Sequence, residues 1–233
     1  MKKRIALITV LALLVCALFA GSASAADMRR TAVAYMNITF QCGCSRCGTG
    51  TMIASNGMIT AGHNLLCPTH NKPVKTCNFY FNRRTNDYYS EYSGAFSYTY
   101  YCDFSNGYNS ENDIGYIVFP SNVGNKTGWY GFSVESDDDL KWEYCHMYGY
   151  TSAGVLTADW NQIEVESAKQ ISWERASDFR NVGEGGPVYY DYEGLEYPIV
   201  VAVYTSHYGS TGYARRITNQ IYKDMKEDGM NLN

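Results

Sequence analysis

CGTGTMIASNGMITAGH, residues 47–63, reads as two short apolar runs that meet at Asn56-Gly57 and end on a histidine. An Asn-Gly pair between such runs is a strong hairpin signal, because the favoured tight turn needs positive φ at its central residues. One strand is therefore expected to rise through GTGTMIA (48–54) and the next to return through GMITAGH (57–63). His63 is left at a strand end, where a rigid scaffold can present it.

Other runs repeat the pattern: TAVAYMNITF (31–40), DIGYIVF (113–119), GPVYY (186–190) and YPIVVAVYTS (197–206), separated by Gly, Asn, Asp and Ser. Many short strands with turn signals between them predict an all-β sandwich or barrel. The exception is TNQIYKDMKEDG (218–229). Thr218 is a candidate cap, Ile221 and Met225 lie one turn apart and Gly229 is a stop, so a surface helix closes the domain. No repeat or Pro-rich linker interrupts the chain.

The chain opens MKKRIALITVLALLVCALFAGSASA. A basic tip, an apolar run and small residues at Ala23 and Ala25 make residues 1–25 a secretory signal peptide, and the run is too short for a membrane anchor. About 207 of the 233 residues remain, enough for a sizeable core. Losing Lys2, Lys3 and Arg4 takes the formal charge from −4 to near −7. That acidity argues against a nucleic-acid partner, and no second apolar stretch is long enough to span a bilayer. The expectation is a secreted, extracellular monomer, off the membrane after cleavage.

Seven cysteines survive cleavage: Cys42, Cys44, Cys47, Cys67, Cys77, Cys102 and Cys145. In an oxidising compartment they are expected in disulfides, with one thiol left over. CGCSRC (42–47) could supply three metal ligands, but no second cluster of Cys and His at zinc-site spacing follows it. No metal and no cofactor is therefore expected. The segment from residue 78 to 112 is rich in tyrosine, and Tyr88, Tyr89, Tyr92, Tyr98, Tyr100, Tyr101 and Tyr108 in it read as amphipathic rings along exposed strands and loops rather than as a binding surface.

Three segments carry the chemistry: TAGH ending at His63, NDIGYIVF with Asp113 at the start of a buried run, and GEGGPVYY (183–190). Histidine, then acid, then glycine-rich loop is the chain order of a chymotrypsin-type nucleophilic triad. There the histidine takes a serine proton, the aspartate orients the imidazole, and backbone N–H groups of the loop hold the oxyanion.

With these segments the chain resembles the secreted bacterial glutamyl-endopeptidase-like branch of the trypsin/chymotrypsin-fold serine peptidases. The supports run in order: CGTGTMIASNGMITAGH, NDIGYIVF, TGWYGFSV (127–134), HMYGY (146–150), GGPVYY, and VVAVYTS (200–206) followed by GYARRIT (212–218). The resemblance implies a chymotrypsin-like double β-barrel, two six-stranded barrels with the site in the cleft between them, and a C-terminal helix. The N-terminal barrel would span 27–130; the C-terminal barrel and helix would span 131–233. His63 matches the general base and Asp113 its orienting acid. By the same resemblance Cys47 pairs with Cys67 across the histidine hairpin; Cys77 with Cys102 is the further candidate pair. The family's substrate-binding histidine is matched by Tyr204, with His207 as a stand-in.

The nucleophile does not match. Aligning on Gly185-Gly186-Pro187 puts Glu184 in the serine position and Val182 at the oxyanion glycine, with Gly183 and Gly185 completing the oxyanion loop. Alternatively Gly183 and Glu184 are the two residues before a deleted serine. In the first alignment two carboxylates flank one imidazole, which predicts a raised His63 pKa and a histidine unable to act as a base. Metal hydrolysis by His63, Asp113 and Glu184 is disfavoured, because the two acids would lie on opposite sides of the ring. The leading expectation is an inactive homologue that binds peptide or protein in the old cleft. Its rivals are an active extracellular endopeptidase with an unidentified nucleophile, and a structural or redox protein built on CGCSRC.

Overall fold

The computed structural model describes residues 30–83, 88–176, 179, 182–191 and 197–232. The signal-peptide reading of residues 1–25 lies outside these residues.

Seven strands form the first sheet: β1 (Val33–Phe40), β2 (Ser45–Ala54), β3 (Gly57–Thr60), β4 (Val74–Phe81), β5 (Ser90–Tyr92), β6 (Ser97–Tyr100) and β7 (Gly115–Val118). Their order is β5-β4-β1-β2-β3-β7-β6. Period-two patterning explains β1: Ala34, Met36, Ile38 and Phe40 point into the core, while Asn37 faces solvent. The sheet curls into a half-barrel around Met52, Met58, Phe79, Phe81 and Ile117, all fully buried.

The second sheet comprises β8 (Gly131–Phe132), β9 (Tyr144–Tyr150), β10 (Leu156–Ser167), β11 (Gln170–Glu174), β12 (Pro187–Tyr190), β13 (Ile199–Tyr208) and β14 (Thr211–Arg216). β12 pairs with both β9 and β13, closing a six-stranded barrel, and β8 adds to β13 in parallel. Closure removes the exposed edges an open sheet would present. Its core is Met147, Ile163, Ile171, Val188, Ala202, Tyr204 and Ala214. Two one-turn helices, α1 (Gly124–Thr127) and α2 (Asp137–Leu140), flank β8 in sequence. The architecture is all-β, as the strand pattern predicted, and is the chymotrypsin-like double barrel that the resemblance implied. It departs from two equal six-stranded barrels, since the first sheet has seven strands and remains a half-barrel.

The β2–β3 hairpin forms with Ala54 opposite Gly57, but for a different reason than expected. Neither Asn56 nor Gly57 has a positive φ. Asn56 instead donates through Nδ2 to the Gly229 carbonyl (3.0 Å) and accepts at Oδ1 from the Asn231 N–H (2.7 Å), while Met230 packs over Gly57. Both residues serve the C-terminal segment. That segment is α3 (Asn219–Glu227), whose Ile221 and Met225 are buried as the pattern predicted, with Gly229 at φ 85° just beyond. Thr218 precedes the helix but makes no side-chain capping bond. The helix end is held to the first sheet by Tyr101 and Tyr116, whose hydroxyls donate to Asp224 and Asp228.

Candidate functional site

His63 sits on a short 3₁₀ turn, Gly62–Asn64, directly after β3. The turn closes through Asn64 N–H to Ala61 O (3.0 Å) and Leu65 N–H to Gly62 O (2.8 Å). Asp113 follows a second 3₁₀ turn and precedes β7, fully buried. One carboxylate oxygen accepts the His63 backbone N–H at 2.7 Å and the other meets Nδ1 at 2.6 Å. This grip fixes the ring and leaves Nε2 facing the cleft. Tyr108 donates its hydroxyl to the same Asp113 oxygen (2.8 Å) and to the Thr205 carbonyl (2.9 Å), tying the acid to β13 of the other barrel. Burial pushes the Tyr108 phenol well above its ordinary pKa, and Asp113 beside it adds to the shift.

The glycine loop is fixed mainly through its backbone. Glu184 O accepts from Thr49 N–H and from Asn64 Nδ2, both at 3.0 Å, while Gly183 O accepts the Thr49 hydroxyl at 2.9 Å. Thr49 in turn accepts the Tyr150 N–H, so one buried threonine on β2 pins the loop and β9 of the second barrel. Gly185 has φ 103°, and a Cβ there would lie 2.1 Å from the Thr49 carbonyl; no other residue type fits without moving the loop.

The loop carries the Glu184 carboxylate to within 3.5 Å of His63 Nε2. Nε2 is buried and makes no hydrogen bond among the described residues, so the contact is an ion pair rather than a formed hydrogen bond. Glu184 is shared with two further groups: Arg46 at 3.6 Å and His207 Nδ1 at 3.8 Å. Burial alone would lower the His63 pKa; Asp113 overrides it, helped by Glu184 and opposed by Arg46, and the net shift is upward. Burial alone would raise Glu184, but His63 and then Arg46 hold it below the ordinary carboxylate value. The pair is thus biased towards imidazolium and carboxylate, as two acids around one ring predicted.

The remaining expected site residues divide. His207 lines the cleft cavity of about 270 Å³ together with Arg46, His63, Tyr108, Glu184 and Ser206. Tyr204 is fully buried against Trp173 and Phe179 and does not line that cavity; its hydroxyl meets His207 Nδ1 at 3.2 Å from behind. In the loop expected to hold an oxyanion, Gly183 N–H donates to Tyr150 O (2.6 Å) and Gly185 N–H to Tyr204 O (2.7 Å), so both are committed to the fold. Val182 is buried and bridges Thr151.

The expected disulfides are not formed: all seven cysteines among the described residues are free thiols. Cys67 clusters with Cys42, Cys44 and His70, and Cys102 packs under Gly62 while Cys77 is buried in β4. Burial raises the thiol pKa values of Cys77, Cys102 and Cys145 well above the ordinary range, which makes them inert. Sequence reasoning missed Arg46, Asn64 and Tyr108. Arg46 carried no local signal, and Tyr108 was one of many tyrosines in its segment, with nothing in the local pattern to set it apart.

No family model matches the chain. It is 23% identical over 196 residues to a protein named extracellular metalloprotease from Bacillus subtilis (strain 168), covering 83% of this chain and 60% of that protein; the chain therefore spans about 60% of that relative's length. Among solved structures it is similar to the thermostable serine protease AL20 from an extremophilic microorganism, with TM-score 0.70, 11% identity, and coverage of 88% of this chain and 100% of that one. A Glu endopeptidase solved in complex with MPD matches with TM-score 0.65, 18% identity, and coverage of 85% and 90%. At such identities these neighbours establish the trypsin/chymotrypsin serine-protease fold.

Proposed function

We propose that this chain is a secreted serine-peptidase homologue whose triad is degenerate, and that it binds peptide or protein in the cleft between the barrels without cleaving it. One observation carries the reading: a carboxylate, that of Glu184, stands 3.5 Å from His63 Nε2 where a nucleophilic hydroxyl would have to be. This supports the alignment that equates Glu184 with the serine position over the one in which the serine is deleted. An imidazolium held between two carboxylates cannot take a proton, and a fixed negative charge beside the oxyanion site opposes a developing one. Loss of the nucleophile alone costs a triad enzyme about a million-fold in turnover. The acidic mature chain and its extracellular-protease relative support the secreted location.

The second reading, an active extracellular endopeptidase, is favoured by the company of proteases in the comparisons and by Ser206, a hydroxyl in the same cavity. A single experiment separates the two. Under the first reading a fluorophosphonate does not label the wild type, casein stays intact, and Glu184→Ser gains both labelling and digestion. Stoichiometric labelling of the wild type, lost in Ser206→Ala, establishes the second reading and sinks the first.

A further inference from the structure

The feature the cleft does not absorb is the cysteine cluster. Cys42 and Cys44 lie on the turn between β1 and β2, with Gly43 between them at φ 86°. Gly43 N–H donates to Phe40 O (3.0 Å) and Phe40 N–H to Cys44 O (2.9 Å), a tight reversal that needs glycine at its centre. The turn is stapled to the loop following the histidine by Gln41 N–H to Pro73 O (2.9 Å). That loop closes on itself through Cys67 N–H to Lys72 O and Asn71 N–H to Cys67 O, both 2.8 Å, which carries His70 back beside Cys67. One ligand-type atom from each of Cys42, Cys44, Cys67 and His70 converges, all lying within 4.8 Å of one another.

We infer that these four residues form a structural zinc site of the Cys₃His type. The distances carry the inference. With Zn–S about 2.3 Å and Zn–N about 2.0–2.1 Å, a tetrahedron has S···N edges of about 3.6 Å. Cys44 Sγ and Cys67 Sγ lie 3.4 and 3.7 Å from His70 Nδ1, one on each side of that value. Three thiolates and an imidazole select zinc over hard cations such as calcium or magnesium. Four protein ligands leave no open position for a water, so the site is structural and not hydrolytic. A disulfide between any two of these cysteines would strand the third beside an unused imidazole, whereas the metal employs all four groups. The halves are invisible as one motif because 22 residues and the histidine turn separate Cys44 from Cys67. His63 is four residues before Cys67, so the metal would brace the loop behind the cleft whether or not the cleft is catalytic.

The test uses the full secreted chain purified without chelator. One equivalent of zinc per chain is expected, and cobalt exchanged into the site should give the intense visible bands of a tetrahedral thiolate centre. Outer-shell changes cost about 10–100-fold in metal affinity, so loss of a direct ligand in His70→Ala should cost more than about 100-fold. His70 is exposed, so this variant should keep the fold even where Cys42→Ser does not. Cys47→Ser, outside the cluster, should leave affinity unchanged. A disulfide joining any two of Cys42, Cys44 and Cys67 in the isolated protein, failure of the reduced chain to take up zinc, or retention of wild-type affinity by His70→Ala would each overturn the site.

Discussion

The two sides of the His63 ring differ in almost every physical respect. On the Nδ1 side Asp113 is completely dry, and its carboxylate accepts from the backbone and the ring of one residue and from the hydroxyl of Tyr108. On the Nε2 side Glu184 is partly exposed, stands 3.5 Å away and divides its charge among His63, Arg46 and His207. The first side is a saturated hydrogen-bond network; the second is a loose ion cluster. A saturated buried network is costly to disturb, whereas a loose cluster can change its members at small cost. The Nδ1 side is therefore fixed as part of the core, while the Nε2 side can vary with little loss of stability.

The largest effect should come from Asp113→Ala. Removing one partner of a buried charged pair costs about 3–5 kcal/mol, and a domain of this size loses about 2–4 °C of Tm per kcal/mol. Thermal unfolding should thus show a fall of about 6–20 °C and urea unfolding a loss of about 3–5 kcal/mol. A change below about 1 kcal/mol would erase the contrast, because Asp113 would then matter no more than a surface charge.

Tyr108→Phe probes the same side more gently. It deletes the hydroxyl shared between Asp113 and the Thr205 carbonyl, while the ring stays stacked on Phe104. Hydrogen bonds to charged groups contribute about 1.5–3 kcal/mol, so the loss should fall in that range by urea unfolding. An effect near zero would mean that the tyrosine only covers the acid and does not tie the barrels together.

His63 and Asp113 were legible in sequence because each sits beside a strand whose apolar pattern is local, and their order along the chain did the rest. Glu184 was legible for the same reason, from the two glycines and proline after it. Arg46 and Tyr108 were not, since what makes each functional is a partner more than a hundred residues away or a carbonyl on another barrel. The long strand β10 also went unread. Its inward position Asp159 is polar, buried by accepting Trp173 Nε1–H (3.1 Å) and the Trp160 backbone N–H (2.9 Å), so the apolar alternation breaks where a strand detector needs it. Cysteine pairing failed for a related reason: in an oxidising compartment an odd set of thiols suggests disulfides, and only three-dimensional convergence shows three of them facing one imidazole.

The smallest energetic effect, and the sharpest probe of the loose side, is Glu184→Gln. A partly exposed ion pair contributes at most about 1 kcal/mol, so unfolding at neutral pH should barely change. The pH profile should change more. His63 is raised above its ordinary 6.5, so its contribution is complete below that value and disappears as pH rises through the raised folded-state pKa. Glu184 is lowered from its ordinary 4.5, so its contribution is complete above that value and disappears as pH falls through the lowered one. Wild-type stability from this pair is therefore greatest between about pH 4.5 and 6.5 and declines on both sides. In Glu184→Gln the acid-side decline due to residue 184 should vanish, and the basic-side decline should move to lower pH because Asp113 alone now opposes burial and Arg46. An NMR titration reads this directly: the His63 pKa should lie above 6.5 in the wild type and fall in the variant. A wild-type value at or below 6.5 would contradict the ion cluster, and an unchanged value in the variant would show that Asp113 sets the charge of the ring without help from the cleft.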